Sequence, residues 1–96
     1  MNKNFITKHV YQGGNQDTLE AIKRQSGFKS QDWLTFLQAK QSGLKIKRGS
    51  KGTRIMAVTD EEYAVEGTNN QISKLVKYYT VFNLDQTEKI GGESNA

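Results

Sequence analysis

Ninety-six residues with fourteen Lys and Arg, ten Asp and Glu and a net charge of +4 fit one small domain, which buries roughly 60 to 68 % of the surface its unfolded chain exposes, and leave no room for a second. The absence of cysteine excludes a disulfide framework and a thiolate metal site. No segment approaches the roughly 18 consecutive apolar residues of a membrane span, and MNKNFITKHV has no long apolar h-region, so a soluble cytoplasmic protein is expected.

Residues 1–10 read as a flexible arm from which Phe5 and Ile6 could dock on a core; the domain proper is expected over 11–89. A first helix is predicted from about Gln16 to Ser26, with Asn15 as its cap and Gly27 at its C′ position. Leu19 and Ile22 give it a narrow apolar stripe, while Glu20, Lys23 and Arg24 face water. Ser30 is then placed to cap a second helix from about Gln31 to Ser42, closed by Gly43. Trp33, Phe36 and Leu37 lie at i, i+3 and i+4 and form its apolar face, with Lys40 a turn further on. This helix is expected to be the central core element.

After Gly43 the period changes to two: Leu44 and Ile46 alternate with Lys45 and Lys47, the pattern of a half-buried strand with a basic outer face. RGSKG reads as a turn. A strand over Arg54–Thr59 is expected to pair with Leu75–Leu84, which is rich in β-branched and aromatic residues and carries Lys77. DEEYAVEGTNNQISK between them reads as a long surface excursion, and residues 90–96, with GGESNA, as a disordered tail. The expected fold class is α+β, two or more helices packed on a small antiparallel sheet.

The charge is uneven. Lys40, Lys45, Lys47, Arg48, Lys51 and Arg54 give a local charge of +6, and no acid occurs between Asp32 and Asp60. Such concentration is the footprint of a site for a polyanion, or of a solvated lysine-rich hairpin. His9 is the sole histidine, which excludes paired-histidine metal motifs and a Ser–His or Cys–His nucleophile with a spare base. Asp60, Glu61 and Glu62 lack the spacing of a calcium loop, and the glycines of 43–53 do not form GxxxxGK[ST]. No enzyme and no cofactor is expected.

WLTFLQAKQSGLKIKRGSKGT, followed after an insertion by YYTVFNLDQTEKI, resembles the amino-terminal single-stranded-DNA-binding domain of ArdC-type antirestriction proteins of mobile elements. Trp33, Thr35, Gln38, Ala39, Gly43, Lys47, Gly49, Lys51, Gly52, Thr53, Phe82, Asn83, Gln86 and Thr87 match the family pattern. Tyr11, Gly13 and Asn15 match a weaker one upstream, so the likeness runs from about residue 11 to residue 89. The tryptophan-proline segment that commonly opens the family domain is missing, because this chain has one Trp and no Pro. The zinc-metalloprotease domain of the full-length relatives has no counterpart here either. The resemblance implies an isolated binding module, with a role as an accessory subunit in replication or priming of a mobile element.

Single-stranded nucleic acid is held by a positive groove and by aromatic faces on which bases stack. Lys40, Lys45, Lys47, Arg48, Lys51, Arg54 and Lys77 are the groove candidates; Tyr11, Tyr78 and Tyr79 are the stacking candidates. Trp33 is assigned to the core, and Asn83, Gln86 and Thr87 to holding a turn. Single-stranded DNA is the expected ligand. A replication protein of the same element, such as a polymerase or helicase, is the expected protein partner. The rival readings are a protein-interaction subunit with little DNA binding of its own and an RNA-binding module, which leaves no separate motif.

Overall fold

Trp33 is completely buried, and the architecture follows from what it needs. An indole N–H taken out of water requires an acceptor. That acceptor is Asn2, whose Oδ1 lies 2.9 Å from Trp33 Nε1. The computed structural model describes residues 1–64 and 72–90, with side chains over 1–57 and 76–90. Its elements are β1 (Lys3–Asn4), α1 (Gly13–Ser26), β2 (Asp32–Thr35), α2 (Phe36–Gln41), β3 (Leu44–Ile46), β4 (Thr53–Ala64), β5 (Ile72–Asn83), a 3-10 turn (Leu84–Gln86) and β6 (Thr87–Lys89).

Four strands form the main sheet in the order β1-β2-β5-β4. The β2–β5 and β4–β5 pairs are antiparallel, but β1 joins β2 in parallel, so the sheet is mixed and not the antiparallel sheet expected. β3 and β6 make a second, two-stranded antiparallel sheet. The domain is α+β, with two α-helices among the described residues.

The first ten residues are not a free arm. Asn2 and Asn4 are buried, and Asn2 is fully so. The Asn2 amide donates to Gln16 Oε1 at 2.7 Å and to Glu20 Oε1 at 3.1 Å, while Gln16 Nε2 donates back to the Asn2 carbonyl at 3.0 Å. The amino terminus is thereby tied to α1 and to the tryptophan together. Glu20 also accepts from Arg24 Nε at 3.1 Å. The hydrogen bond from Asn2 and then that from Arg24 hold its carboxyl below the usual glutamate range.

Trp33 lies on a strand and not on the predicted helix. Thr35 caps α2: its side chain accepts from the Gln38 N–H at 3.1 Å, and Gln38 Oε1 accepts from the Thr35 N–H at 3.0 Å, a reciprocal capping box. The helix therefore starts at Phe36, and Phe36 and Leu37 are each 60 % exposed instead of buried. Ser30 caps no helix; its hydroxyl accepts from the Asp32 N–H at 3.0 Å at the entry to β2. Asn15 lies inside α1, which begins at Gly13, and its amide brackets the outer strand β4 by donating to the Met56 carbonyl and accepting from the Met56 N–H. Gly27 ends α1 in the left-handed conformation as predicted.

One core cluster joins Leu19 of α1 to Tyr11, Trp33, Ile55 and Val81, with Ile22 and Phe28 packed against it. Phe28 meets Trp33 edge-on, centroids 6.1 Å apart. Leu34 and Ala39 are buried as well but lie outside that cluster, and α2 contacts β2 and β5. The predicted pairing of β4 with β5 holds, in the register Ile55 to Tyr79 and Arg54 to Thr80. Both strands continue through much of the expected excursion, to Ala64 and from Ile72, with a register shift between Val58 and Glu62. The remainder of that excursion, 65–71, and the tail residues 91–96 lie outside the described residues, as do the side chains of Asp60, Glu61 and Glu62. No described helix is long and apolar enough to cross a membrane.

Candidate nucleic-acid interface

The loop between β3 and β4 is fixed through its backbone and leaves its cations outside. The Lys47 N–H donates to the Gln86 carbonyl at 2.8 Å and the Ser50 N–H to the Lys47 carbonyl at 3.1 Å. Gln86 Nε2 donates to the Lys51 carbonyl at 2.9 Å. Gly49 takes a φ of 83°, a conformation that favours glycine. Gly52 is needed for another reason: a Cβ there would stand 2.3 Å from the Thr80 methyl and 3.1 Å from the Phe82 ring. The loop therefore seats directly on β5.

Lys47, Arg48 and Lys51 are exposed and form no ion pair with any described residue. The backbone N–H groups of Arg48, Gly49, Lys51 and Gly52 have no acceptor among the described residues. Three cations and four open amides on one short, anchored loop suit an anion.

The anchor is the turn after β5. Asn83 Oδ1 accepts from the Asp85 N–H at 2.8 Å, and Gln86 Oε1 accepts from the Asn83 N–H at 2.8 Å. Asn83 Nδ2 also donates to the Ser30 carbonyl at 2.8 Å, and Thr87 Oγ1 to the Leu84 carbonyl at 2.7 Å. These three side chains hold a turn, as predicted. Asp85 takes the N–H groups of Lys29 and Ser30, at 2.7 and 3.1 Å.

The remaining candidates are dispersed. Lys40, exposed, closes α2, and Lys45 on β3 lies 3.7 Å from Glu88 of β6, a partner that offsets its charge. Strand register puts Lys77 and Tyr79 on the face that carries Ile55 and Val81, and Arg54 on the other with Tyr78. The Arg54 guanidinium sits 5.6 Å from the Tyr78 ring centre, and Tyr78 is 62 % exposed, so these two form a cation and an open ring side by side. Tyr11, named as a stacking candidate, is buried with 7 % exposed and offers no free face. Burial pushes its phenol above the usual tyrosine pKa, against the opposing hydrogen bond from Asn4. It borders a cavity on the α1 side of the sheet that Tyr79 also lines.

Asn2, Asn4 and Gln16 escaped the sequence reading. The available signal was the assignment of Trp33 to the core, since a buried indole N–H demands an acceptor that the predicted core did not contain. Among the described residues no group of three or more His, Asp or Glu could hold a metal ion.

A family model described as the N-terminal domain of the anti-restriction factor ArdC matches residues 1–82, including the ten residues set apart in the sequence reading. Solved structures that resemble this chain include two of the antirestriction protein ArdC from the R388 plasmid. The metal-free crystal structure superposes with a TM-score of 0.76 at 29 % identity, over 97 % of this chain and 34 % of that one. The Mn(II)-bound structure gives a TM-score of 0.72 at 28 % identity, over 94 % of this chain and 35 % of that one. This chain thus spans about a third of the ArdC chain. No curated protein matches it.

Proposed function

Because the chain belongs to the family of the ArdC N-terminal domain, which matches most of its length, we propose that it is a non-enzymatic module that binds single-stranded DNA. The observation that carries this reading is the 47–52 loop. Its cations are exposed and four of its amides are open, while Gln86 holds the Lys47 N–H and the Lys51 carbonyl, so phosphates can be gripped without reorganising the backbone. Tyr78 beside Arg54, and Tyr79 on the opposite face, are the rings on which bases can stack. ArdC of the R388 plasmid is a plasmid protein, and a role as an accessory subunit in replication or priming of a mobile element extends that likeness.

Titration of labelled single-stranded DNA, duplex DNA and RNA at two salt concentrations tests the proposal. The single strand is expected to bind tightest and to lose affinity with salt; equal affinity for single and double strands contradicts it.

A second reading has its own support. Phe36 and Leu37 are large, exposed and next to Lys40, a combination suited to a protein partner such as a polymerase or helicase of the same element. Replacing both with Ser is expected to weaken capture of that partner and leave DNA binding unchanged. Loss of DNA binding instead would place the apolar pair in the nucleic-acid site.

A further inference from the structure

The cavity bordered by Tyr11 and Tyr79 has a volume of about 260 Å³. That is below the roughly 300–1,000 Å³ of pockets that take drug-sized ligands, and it suits one ring system. Ile55, Ala57 and Val81 give it an apolar lining, and His9 stands at its edge, its ring 5.8 Å from that of Tyr11.

Its polar lining is one-sided. Asn4 Oδ1 accepts from the N–H groups of Ile6 and Thr7, both at 2.9 Å. Gln38 Oε1 accepts from Asn4 Nδ2 and from the Thr35 N–H, both at 3.0 Å. Thr7 Oγ1 accepts from the His9 N–H at 3.2 Å, Thr35 Oγ1 from the Gln38 N–H at 3.1 Å, and Tyr11 Oη from Asn4 Nδ2 at 3.3 Å. Each of these oxygens already accepts at least one N–H. The donors are open: the Tyr11 hydroxyl hydrogen and the Gln38 Nε2 amide have no acceptor among the described residues, nor do the hydroxyl hydrogens of Thr7 and Thr35. Tyr11 as a whole is more than nine-tenths buried, which fixes its ring in the wall of the cavity.

A ligand that matches this lining is flat, small and presents acceptors. We infer that the cavity takes one pyrimidine base of the bound strand, its carbonyl oxygens, and in cytosine N3, accepting from Tyr11 and Gln38 while its face lies against Tyr79. Cytosine offers O2 and N3 side by side, and thymine offers O2 and O4. Each pyrimidine thus brings two acceptors on its Watson–Crick edge beside one donor, the cytosine N4 amine or the thymine N3–H, where adenine brings N1 alone beside its N6 amine. The pocket lies on the α1 face of the sheet and uses none of the loop cations. The inference rests on the single-stranded-DNA reading for the strand that delivers the base, and its chemistry comes from the lining itself.

Fluorescence anisotropy with labelled dodecamers of dT, dC and dA tests it, comparing the wild-type protein with Tyr11→Phe, which keeps the ring and removes the one hydroxyl. The pyrimidine oligomers are expected to bind about tenfold more tightly than the dA oligomer, the lower range of discrimination by a pair of base hydrogen bonds. Because dA stacks on itself, the preference alone does not carry the assignment; Tyr11→Phe does. It should reduce the ratio to within about threefold and leave dA affinity unchanged. Equal affinity for all three oligomers in the wild type, or full preference retained in Tyr11→Phe, overturns the pocket while leaving the single-strand reading intact. If no oligomer binds, the single-strand reading fails and the pocket is judged by amide chemical shifts under cytidine. Shifts at Thr7, Gln38 and Tyr79 that weaken in Tyr11→Phe uphold it; their absence at saturating nucleoside overturns it.

Discussion

The loop at 47–52 and the turn at 83–87 carry family-pattern residues in similar density, yet they use them in opposite ways. In the turn, Asn83, Gln86 and Thr87 direct their side chains onto backbone groups and are spent on architecture. In the loop, the backbone is held and the side chains of Lys47, Arg48 and Lys51 are left to solvent. Polar residues in a binding family are therefore not uniformly binding residues. The buried amides build the rigid seat from which the exposed cations act, and Gln86 links the two regions through the Lys51 carbonyl.

The largest effects are expected in the framework. Trp33→Ala should cost about 3 to 5 kcal/mol, a large part of the stability of a domain this size, and wild-type tryptophan emission should be blue-shifted. Red-shifted emission would remove the tryptophan from the core and the framework with it. Gln86→Ala leaves the Asn83 N–H and the Lys51 carbonyl without partners, at about 1 to 3 kcal/mol for each group that stays buried. Its effect on DNA should be a weaker affinity at every salt concentration with an unchanged salt slope, since no cation is lost; a changed slope would break the division between seat and cations. Gly52→Ala forces the loop off Thr80 and Phe82 and should destabilise by about 1 to 3 kcal/mol in denaturant titrations.

How much of this was readable differs by region for physical reasons. The β4–β5 pairing, the strand at Leu44 and the end of α1 at Gly27 follow from alternation and from a glycine that tolerates positive φ. The second helix was misplaced because Trp33, Phe36 and Leu37 satisfy helical spacing across a boundary where the chain changes from strand to helix. Thr35 and Gln38 mark that boundary as a capping box, a local signal that outweighs a three-residue apolar match. The arm was misread because its stability comes from long-range amide hydrogen bonds of Asn2 and Asn4, which have no periodicity. The cations of the loop were legible as a cluster; their relation to the two faces of β5 required the register.

A smaller effect belongs to the amino-terminal clamp. Glu20 is held below its ordinary pKa by Asn2 and Arg24, so its contribution is present above the unfolded-state value and is lost as pH falls through the folded value. Thermal midpoints of Glu20→Gln should fall less steeply than wild type across that acid window; parallel curves would show that the carboxylate does not fasten the arm.

The most direct test is the salt dependence of single-strand binding in the wild type and in the triple variant with Lys47, Arg48 and Lys51 all replaced by Ala. At roughly −0.7 per phosphate contact, the three loop cations alone give a logarithmic slope of about −2, and Lys45 and Arg54 would bring it to about −3.5. The account predicts that the triple variant loses about 2 from that slope while its stability stays within about 0.5 kcal/mol of wild type. An unchanged slope in a folded triple variant would contradict it and move the site to the strand that carries Tyr78 and Tyr79.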